Sequence, residues 1–373
     1  MIKKFLKVIS EKRFYFQIPK KNNIVLYDKS TEDIFKELKI NKKYKVLDKK
    51  RLNIYVIFLC FIGLKFSYEN YFQTYINLIK PKVVINGVDN DIIFFKLKKK
   101  SKICFIAIQN GYRFPSEKEF FSDLIKNEKN LSVDYFFLYN KFFSNYLSKY
   151  IKFKPIIHGS IKNNNVPIKP KKKEDIIFIS QFNKNKYHFV SYNFLTKKIF
   201  SFLNTYCKKK NIKITILFRN PRDSKNFLVE KKFYDNLCNF NYKIFYKKHF
   251  NDFKKPYDCV DSADIILTID STLGYEALSR KKKVVFFHTR SLGNVKRNFG
   301  WPKKIKNLNN NFIPVRLDER YLTKYFEQKI NIKYKYWIKK NKKFIKDIIL
   351  FDFQNKKLIN TINQILKNKI SKI

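Results

Sequence analysis

The chain has 373 residues, enough for two ordinary domains, and a formal charge of +51 from 81 basic and 30 acidic residues. Only ten of the basic residues are Arg. Lys, Asn, Ile, Phe and Tyr are abundant and Ala occurs three times, which is the signature of A/T-rich codons with surface positions defaulting to Lys. Charge alone therefore makes no case for nucleic acid, and no recognisable binding module accompanies it.

Five scattered Cys without a C-x-x-C pair, an odd number with no visible signal peptide, fit a reducing cytosol. Residues 1–9 are basic but lack a continuous apolar signal region. The most apolar stretch, 54–64, is too short to cross a bilayer, which takes roughly twenty apolar residues, and is expected to be buried structure. In so Lys-rich a chain, Ala, Gly and Arg mark positions where small size or a guanidinium is needed. They gather at 109–113, 218–222 and 263–300.

Strands are expected at 23–27, 44–47, 82–86, 102–108, 134–138 and 154–158, with helices at 68–79 and 141–149 among them. Short apolar runs separated by helical patterns predict a parallel sheet with crossover helices. Residues 160–175 carry Asn, Pro and Lys with little apolar content, a linker. The alternation then restarts: strand 175–180, helix 188–207, strand 213–218, helix 224–238, strands 242–245 and 264–269, helix 272–280, strand 283–287. The tail from 317 is helical, and Leu358, Ile362, Ile365 and Leu366 fit one narrow apolar stripe. The expected class is α/β, two Rossmann-like domains facing a cleft (the GT-B architecture) with C-terminal helices. The boundaries are 1–160 for an N-terminal acceptor domain, 161–174 for the linker, 175–330 for a C-terminal donor domain, and 331–373 for helices crossing back to the first domain.

The segment Asp270-Ser271-Thr272-Leu273-Gly274-Tyr275-Glu276-Ala277-Leu278 stands between two of these strands. A helix opened by Asp, Ser and Thr offers free backbone N–H groups and a positive dipole end, an arrangement that binds phosphate. Asp270, Ser271 and Thr272 are equally the preferred capping residues, and both uses draw on the same donors. Gly274 lets the helix approach a ligand or the adjoining strand.

Residues 262–264 with this motif, Lys282-Lys283-Val284-Val285-Phe286-Phe287 and Phe299-Gly300-Trp301-Pro302 together resemble the surface carbohydrate (O-antigen and capsule) biosynthesis proteins, which are GT-B glycosyltransferase-like. Ile108-Gln109-Asn110-Gly111 and Gly159-Ser160-Ile161-Lys162-Asn163-Asn164 look like two further blocks of that family. One departure is the Lys281-Lys282 pair, which stands where these proteins usually have Gly after the motif helix.

The resemblance implies sugar transfer from a nucleotide-sugar donor to a surface polysaccharide precursor. It gives Glu276, one turn after Thr272 on the same helical face, the role of accepting ribose hydroxyls; the alternatives are a solvated helix carboxylate or an ion pair with Arg280 at i+4. Arg219 and Asn220 end a strand on the side where open α/β sheets bind ligands, and Arg219 could hold the donor diphosphate. Asp89 is the first choice for the general base that takes the acceptor proton and Asp91 the second, against a simple helix-capping role. Gln109 and Asn110 would position the acceptor. His158, beside Gly159, reads as structural.

No cofactor beyond the nucleotide-sugar co-substrate is expected, and no metal, although Asp89-Asn90-Asp91 spells D-x-D. The expected partners are the nucleotide-sugar donor, a lipid-linked glycan acceptor and an anionic membrane surface, with no specific nucleic acid. The expected location is the cytoplasm, peripheral at the inner face of the cell membrane. Competing functions are a sugar-nucleotide 2-epimerase, a glycerophosphotransferase, a basic nucleic-acid-binding protein and a non-catalytic scaffold.

Overall fold

The computed structural model describes residues 12–36, 38, 42–64, 66–99, 101–112, 128, 130–169, 174–183, 186–250, 252–269, 271–287, 312–314 and 316–367. Within these the chain forms two units. The first comprises the residues up to Asn110, those from 128 to Asn165, and those from Asp352 onward. The second comprises Gly111, Tyr112 and Val166–Phe351.

The strands in chain order are β1 (Arg13–Tyr15), β2 (Ile24–Leu26), β3 (Lys45–Val46), β4 (Arg51–Asn53), β5 (Val83–Asn86), β6 (Cys104–Ile108), β7 (Leu131–Leu138) and β8 (Ile151–Ile157) in the first unit. The second unit holds β9 (Glu174–Ile179), β10 (Ile214–Leu217), β11 (Lys243–Phe245), β12 (Ala263–Thr268) and β13 (Lys283–Phe286).

The first unit contains a six-stranded, wholly parallel sheet ordered β3-β2-β5-β6-β7-β8. Its central strands are apolar runs buried on both faces, as crossover helices require. The helix Tyr68–Ile79 shows how the sequence sets one such layer. Ser67 caps it by accepting from the Asn70 amide, and Tyr71, Phe72, Tyr75, Ile76 and Ile79 recur on the face it buries. The second unit is a five-stranded parallel sheet ordered β11-β10-β9-β12-β13.

Both sheets are doubly wound. The first reverses its winding between β2 and β5, the second between β9 and β12. In open α/β sheets ligands bind outside the carboxyl ends of the strands at such reversals.

The α/β class with parallel sheets is as expected, and three details differ from the sequence reading. The helical tail divides: Tyr334–Ile348 belongs to the second unit, and only the chain from Asp352 belongs to the first. There Leu358, Ile362 and Ile365 enter the core with Ile24, Val83 and Ile106. The 160–175 segment is not uniformly a linker, since Ile161–Asn164 is a buried helical turn.

The third difference is the apolar 54–64 stretch, which is not interior. It forms the helix Ile54–Ile62, whose fully buried residues are Val56 and Cys60. Burial of every residue fails because this short helix turns only one side to the helix Tyr68–Ile79 behind it.

Candidate functional site

In the second unit, β12 ends at Thr268 and the chain enters the helix Thr272–Ser279. Ser271 caps the helix: its hydroxyl accepts from the Leu273 amide at 3.3 Å. The Thr272 hydroxyl accepts from the Tyr112 amide at 3.1 Å, and the Tyr112 ring stacks on Tyr275 with centroids 3.8 Å apart. Ser271, Thr272 and Leu273 remain half-exposed, so the amino end of the helix is reachable. Asp270 lies outside the described residues.

Gly274 faces the sheet. A Cβ built there would stand 2.5 Å from Thr268 Cγ2 and 3.0 Å from Phe286 Cε1. The missing side chain thus serves close packing of helix on β12 and β13, the second of the two uses expected for it.

Glu276 is buried, and its Oε2 accepts from the Tyr257 hydroxyl at 3.0 Å. The alternative pairing with Arg280 is not made. Arg280 is wholly buried and clamps Asp261 through Nε at 2.7 Å and through Nη2. Its remaining donors reach the carbonyls of Val166 and Pro167, both at 2.9 Å. The bidentate pair ties the end of the motif helix to the helix Lys255–Ser262, and the two carbonyl contacts tie it to the start of its own unit.

At strand β10, separated from β12 by β9, Arg219 and Asn220 form the turn after Phe218. The organiser of that turn is Glu230, a fully buried carboxylate. It accepts from the Arg219 amide at 3.0 Å, the Asn220 amide at 2.9 Å, Asn220 Nδ2 at 2.7 Å and Ser180 Oγ at 2.5 Å. Burial pushes its carboxyl above the ordinary value, and the four donors act in the opposite direction. Asn220 thereby has its side chain committed to Glu230. Arg219 is exposed and leans from β10 towards the end of β9, where Nη1 meets the Phe182 carbonyl at 3.3 Å. The structure thus brings Arg219, the loop after β9 and the helix after β12 to the carboxyl ends of three adjacent strands.

In the first unit, Asp89 follows β5 and is buried. Asp91 accepts from the Phe94 amide at 3.3 Å at the start of the next helix and pairs with Lys49. Asp28, after β2, lies 3.7 Å from the same ammonium, which stands 4.7 Å over the Tyr27 ring. The capping role therefore falls to Asp91. Gln109 is buried and its Oε1 accepts from the Tyr139 amide at 3.0 Å, while the Asn110 carbonyl accepts from the Tyr139 hydroxyl at 3.1 Å. Both tie β6 to β7. Among the described residues no group of three His, Cys, Asp or Glu could hold a metal ion.

Sequence reasoning missed Glu230, Tyr257, Tyr112 and Lys49. Tyr112 had a signal, since it adjoins the Gln109-Asn110-Gly111 block. The others are single residues in ordinary helix or loop sequence.

The family described as "putative O-antigen biosynthesis protein" matches residues 106–366. The chain belongs to this family. The match runs from within β6 through β13 to the C-terminal helix, including both the Gln109 block and the motif helix. No curated protein matches the chain.

Solved structures show the same fold. A UDP-GlcNAc 2-epimerase from Neisseria meningitidis, bound to UDP-GlcNAc, superposes with a TM-score of 0.55 at 14% identity, covering 91% of this chain and 99% of that one. A glycosyltransferase from Rickettsia africae gives 0.51 at 12% identity over 93% and 99%. The wall teichoic acid polymerase TagF gives 0.50 at 12% identity over 95% and 91%. At these identities the likeness is one of fold, the GT-B-like pairing of two Rossmann-type units. Among the described residues no helix is long and apolar enough to cross a membrane.

Proposed function

We propose that this O-antigen biosynthesis family member is a metal-independent GT-B glycosyltransferase. It moves a sugar from a nucleotide-sugar donor to a surface polysaccharide precursor, of O-antigen or capsule, carried on a lipid. The observation that carries the reading is the half-exposed amino end of the 272–279 helix at the winding reversal of the second sheet, with the buried Glu276 one turn on. The helix end stabilises the phosphates and the leaving diphosphate. Glu276, oriented by Tyr257, accepts the ribose hydroxyls, and Arg219 supplies a cation from the end of β10, on the far side of β9. Asp89 is retained as the acceptor base ahead of Asp91, which is engaged by Lys49. A lipid-linked acceptor places the protein at the inner, anionic face of a membrane.

The test is a thermal-shift screen against UDP-, GDP-, CMP- and CDP-sugars, since a ligand of the native state alone raises the melting point. The stabilising donor is then supplied with a lipid-linked acceptor, and transfer is followed by mass spectrometry. A protein that no sugar nucleotide stabilises is not this enzyme.

The epimerase likeness favours one second reading, release of an epimerised sugar nucleotide without any acceptor. Incubation of the donor alone, followed by NMR, separates the two.

A further inference from the structure

We infer that the helix Ile54–Ile62 and the segment Phe14–Ile18 form a docking surface for an anionic lipid bilayer.

The helix carries no charged residue. Val56 and Cys60 face inward, and the Cys60 thiol reaches Thr74 on the packed helix behind at 3.6 Å. Ile54, Phe58 and Ile62 recur every four residues on the opposite side and are 47%, 58% and 65% exposed. That spacing is one stripe along a helix. Leu64, in a left-handed conformation just past the helix end, is exposed as well.

A second apolar row lies alongside. Phe14 in β1 and Phe16 and Ile18 just after it stand at every second position, and all three are exposed. An extended chain places alternate residues on one side. The rows meet where the Phe16 ring stands edge-on to Tyr55, centroids 6.2 Å apart. Soluble proteins rarely leave so continuous an apolar surface in water unless something covers it.

Charge selects the cover. Arg13 and Arg51 are exposed register partners on the Tyr15 side of the β1–β4 pair, at the edge of this surface, with the Arg51 guanidinium 5.4 Å over the Tyr15 ring. Lys20, Lys21 and Lys50 are exposed in the same stretches of chain, and the whole protein is strongly positive. Basic side chains around an apolar patch favour an anionic surface over a neutral one. Nine helical residues are far too few to span a bilayer. A short apolar helix with basic neighbours lies instead in the interface, its apolar face among the acyl chains. The 71 Lys then have a use beyond codon bias at this one place.

The function of this surface rests on the lipid-linked acceptor proposed above, but its test does not. Full-length protein is floated with phosphatidylcholine vesicles, with or without phosphatidylglycerol, and no sugar nucleotide is present. A failed transfer assay therefore leaves the result standing, and the reverse.

The expected result is flotation with the anionic vesicles and weak flotation with the neutral ones. The F58D/I62D variant should lose about tenfold or more of that binding per residue changed. Phe16→Asp, outside the helix, serves as a second variant, and melting curves confirm that each is folded. Equal flotation of wild type and both folded variants overturns the proposal. So does a wild-type dimer in solution that F58D/I62D dissociates while the wild type ignores vesicles, because the surface then belongs to a second copy of the chain.

Discussion

Tyr257 donates its hydroxyl hydrogen to Glu276 across 3.0 Å, joining the helix that precedes β12 to the helix that follows it. The same Tyr257 ring lies 5.2 Å under the Arg280 guanidinium, so Arg280 and Glu276 share one aromatic support without pairing with each other. This fixes the Glu276 carboxylate before any ligand arrives. Hydrogen bonds to a charged group contribute about 1.5–3 kcal/mol. Glu276→Gln should therefore weaken donor binding about 10–100-fold with little change in melting point, and Tyr257→Phe should weaken it less. Titration calorimetry with the stabilising sugar nucleotide measures both. Unchanged affinity in Glu276→Gln removes that residue from the site.

Gly274 is a packing residue, and a methyl group there has nowhere to go. The nearest atoms, at 2.5 Å and 3.0 Å, belong to Thr268 and Phe286, which are both fully buried. Gly274→Ala should destabilise by about 1–3 kcal/mol as the helix lifts from the sheet. Urea denaturation reads the loss directly. A neutral result would mean that the helix shifts freely on β12 and β13.

Glu230 should be intolerant of its closest isostere. Its two oxygens face only donors, from Ser180, Arg219 and Asn220. Glu230→Gln sets an amide donor against them and leaves a buried N–H without an acceptor. A cost of about 1–3 kcal/mol is expected, with the Arg219 turn loosened. Hydrogen exchange at the Arg219 and Asn220 amides should quicken before the global melting point falls far, and exchange that stays slow there would show that the turn holds itself.

Much of the fold was legible because parallel strands buried on both faces read as short apolar runs, and Val83–Asn86, Cys104–Ile108 and Ala263–Thr268 do. The helix after β12 was legible because its Ser and Thr mark an amino terminus. What could not be read was orientation. An apolar run such as 54–62 has the same letters whether it faces a core or a lipid surface. Glu230 in the helix Phe227–Asp235 looks like any solvated helix carboxylate until the fold sets it under the 219–220 turn. Asp91 reads as a candidate base because nothing in the sequence announces Lys49, which is brought to it from 42 residues away.

Lys281 occupies the position where family resemblance calls for Gly, and its φ of 65° shows why Gly is preferred. The helix closes with the Lys281 amide donating to Leu278 at 2.9 Å and the Lys282 amide to Ala277 at 3.0 Å, a Schellman closure. A left-handed residue with a Cβ costs roughly 1–2 kcal/mol, part of which Gly returns as greater unfolded-state entropy. Lys281→Gly should raise stability by about 0.5–1 kcal/mol, seen as a higher melting point. A lower one would show that the Lys281 side chain makes a compensating contact.

His158 makes the first unit sensitive to acid. The ring is fully buried, edge-on to Phe137 at 5.0 Å, and neither ring nitrogen has a hydrogen-bond partner among the described residues. Burial, helped by the nearby Lys357 charge, pulls its pKa down from 6.5 to about 3. Between those values the unfolded chain takes up a proton that the folded chain refuses, so stability falls as pH falls through that window and levels off below it. One such group removes about 1.4 kcal/mol per pH unit, hence about 2 kcal/mol between about pH 6.5 and about pH 5. Urea midpoints of the wild type and of His158→Leu at about pH 7 and about pH 5 isolate this term, because the carboxylates common to both proteins cancel. The variant should lose distinctly less stability than the wild type on acidification. Parallel losses would mean that the folded protein protonates His158 as readily as the unfolded chain does.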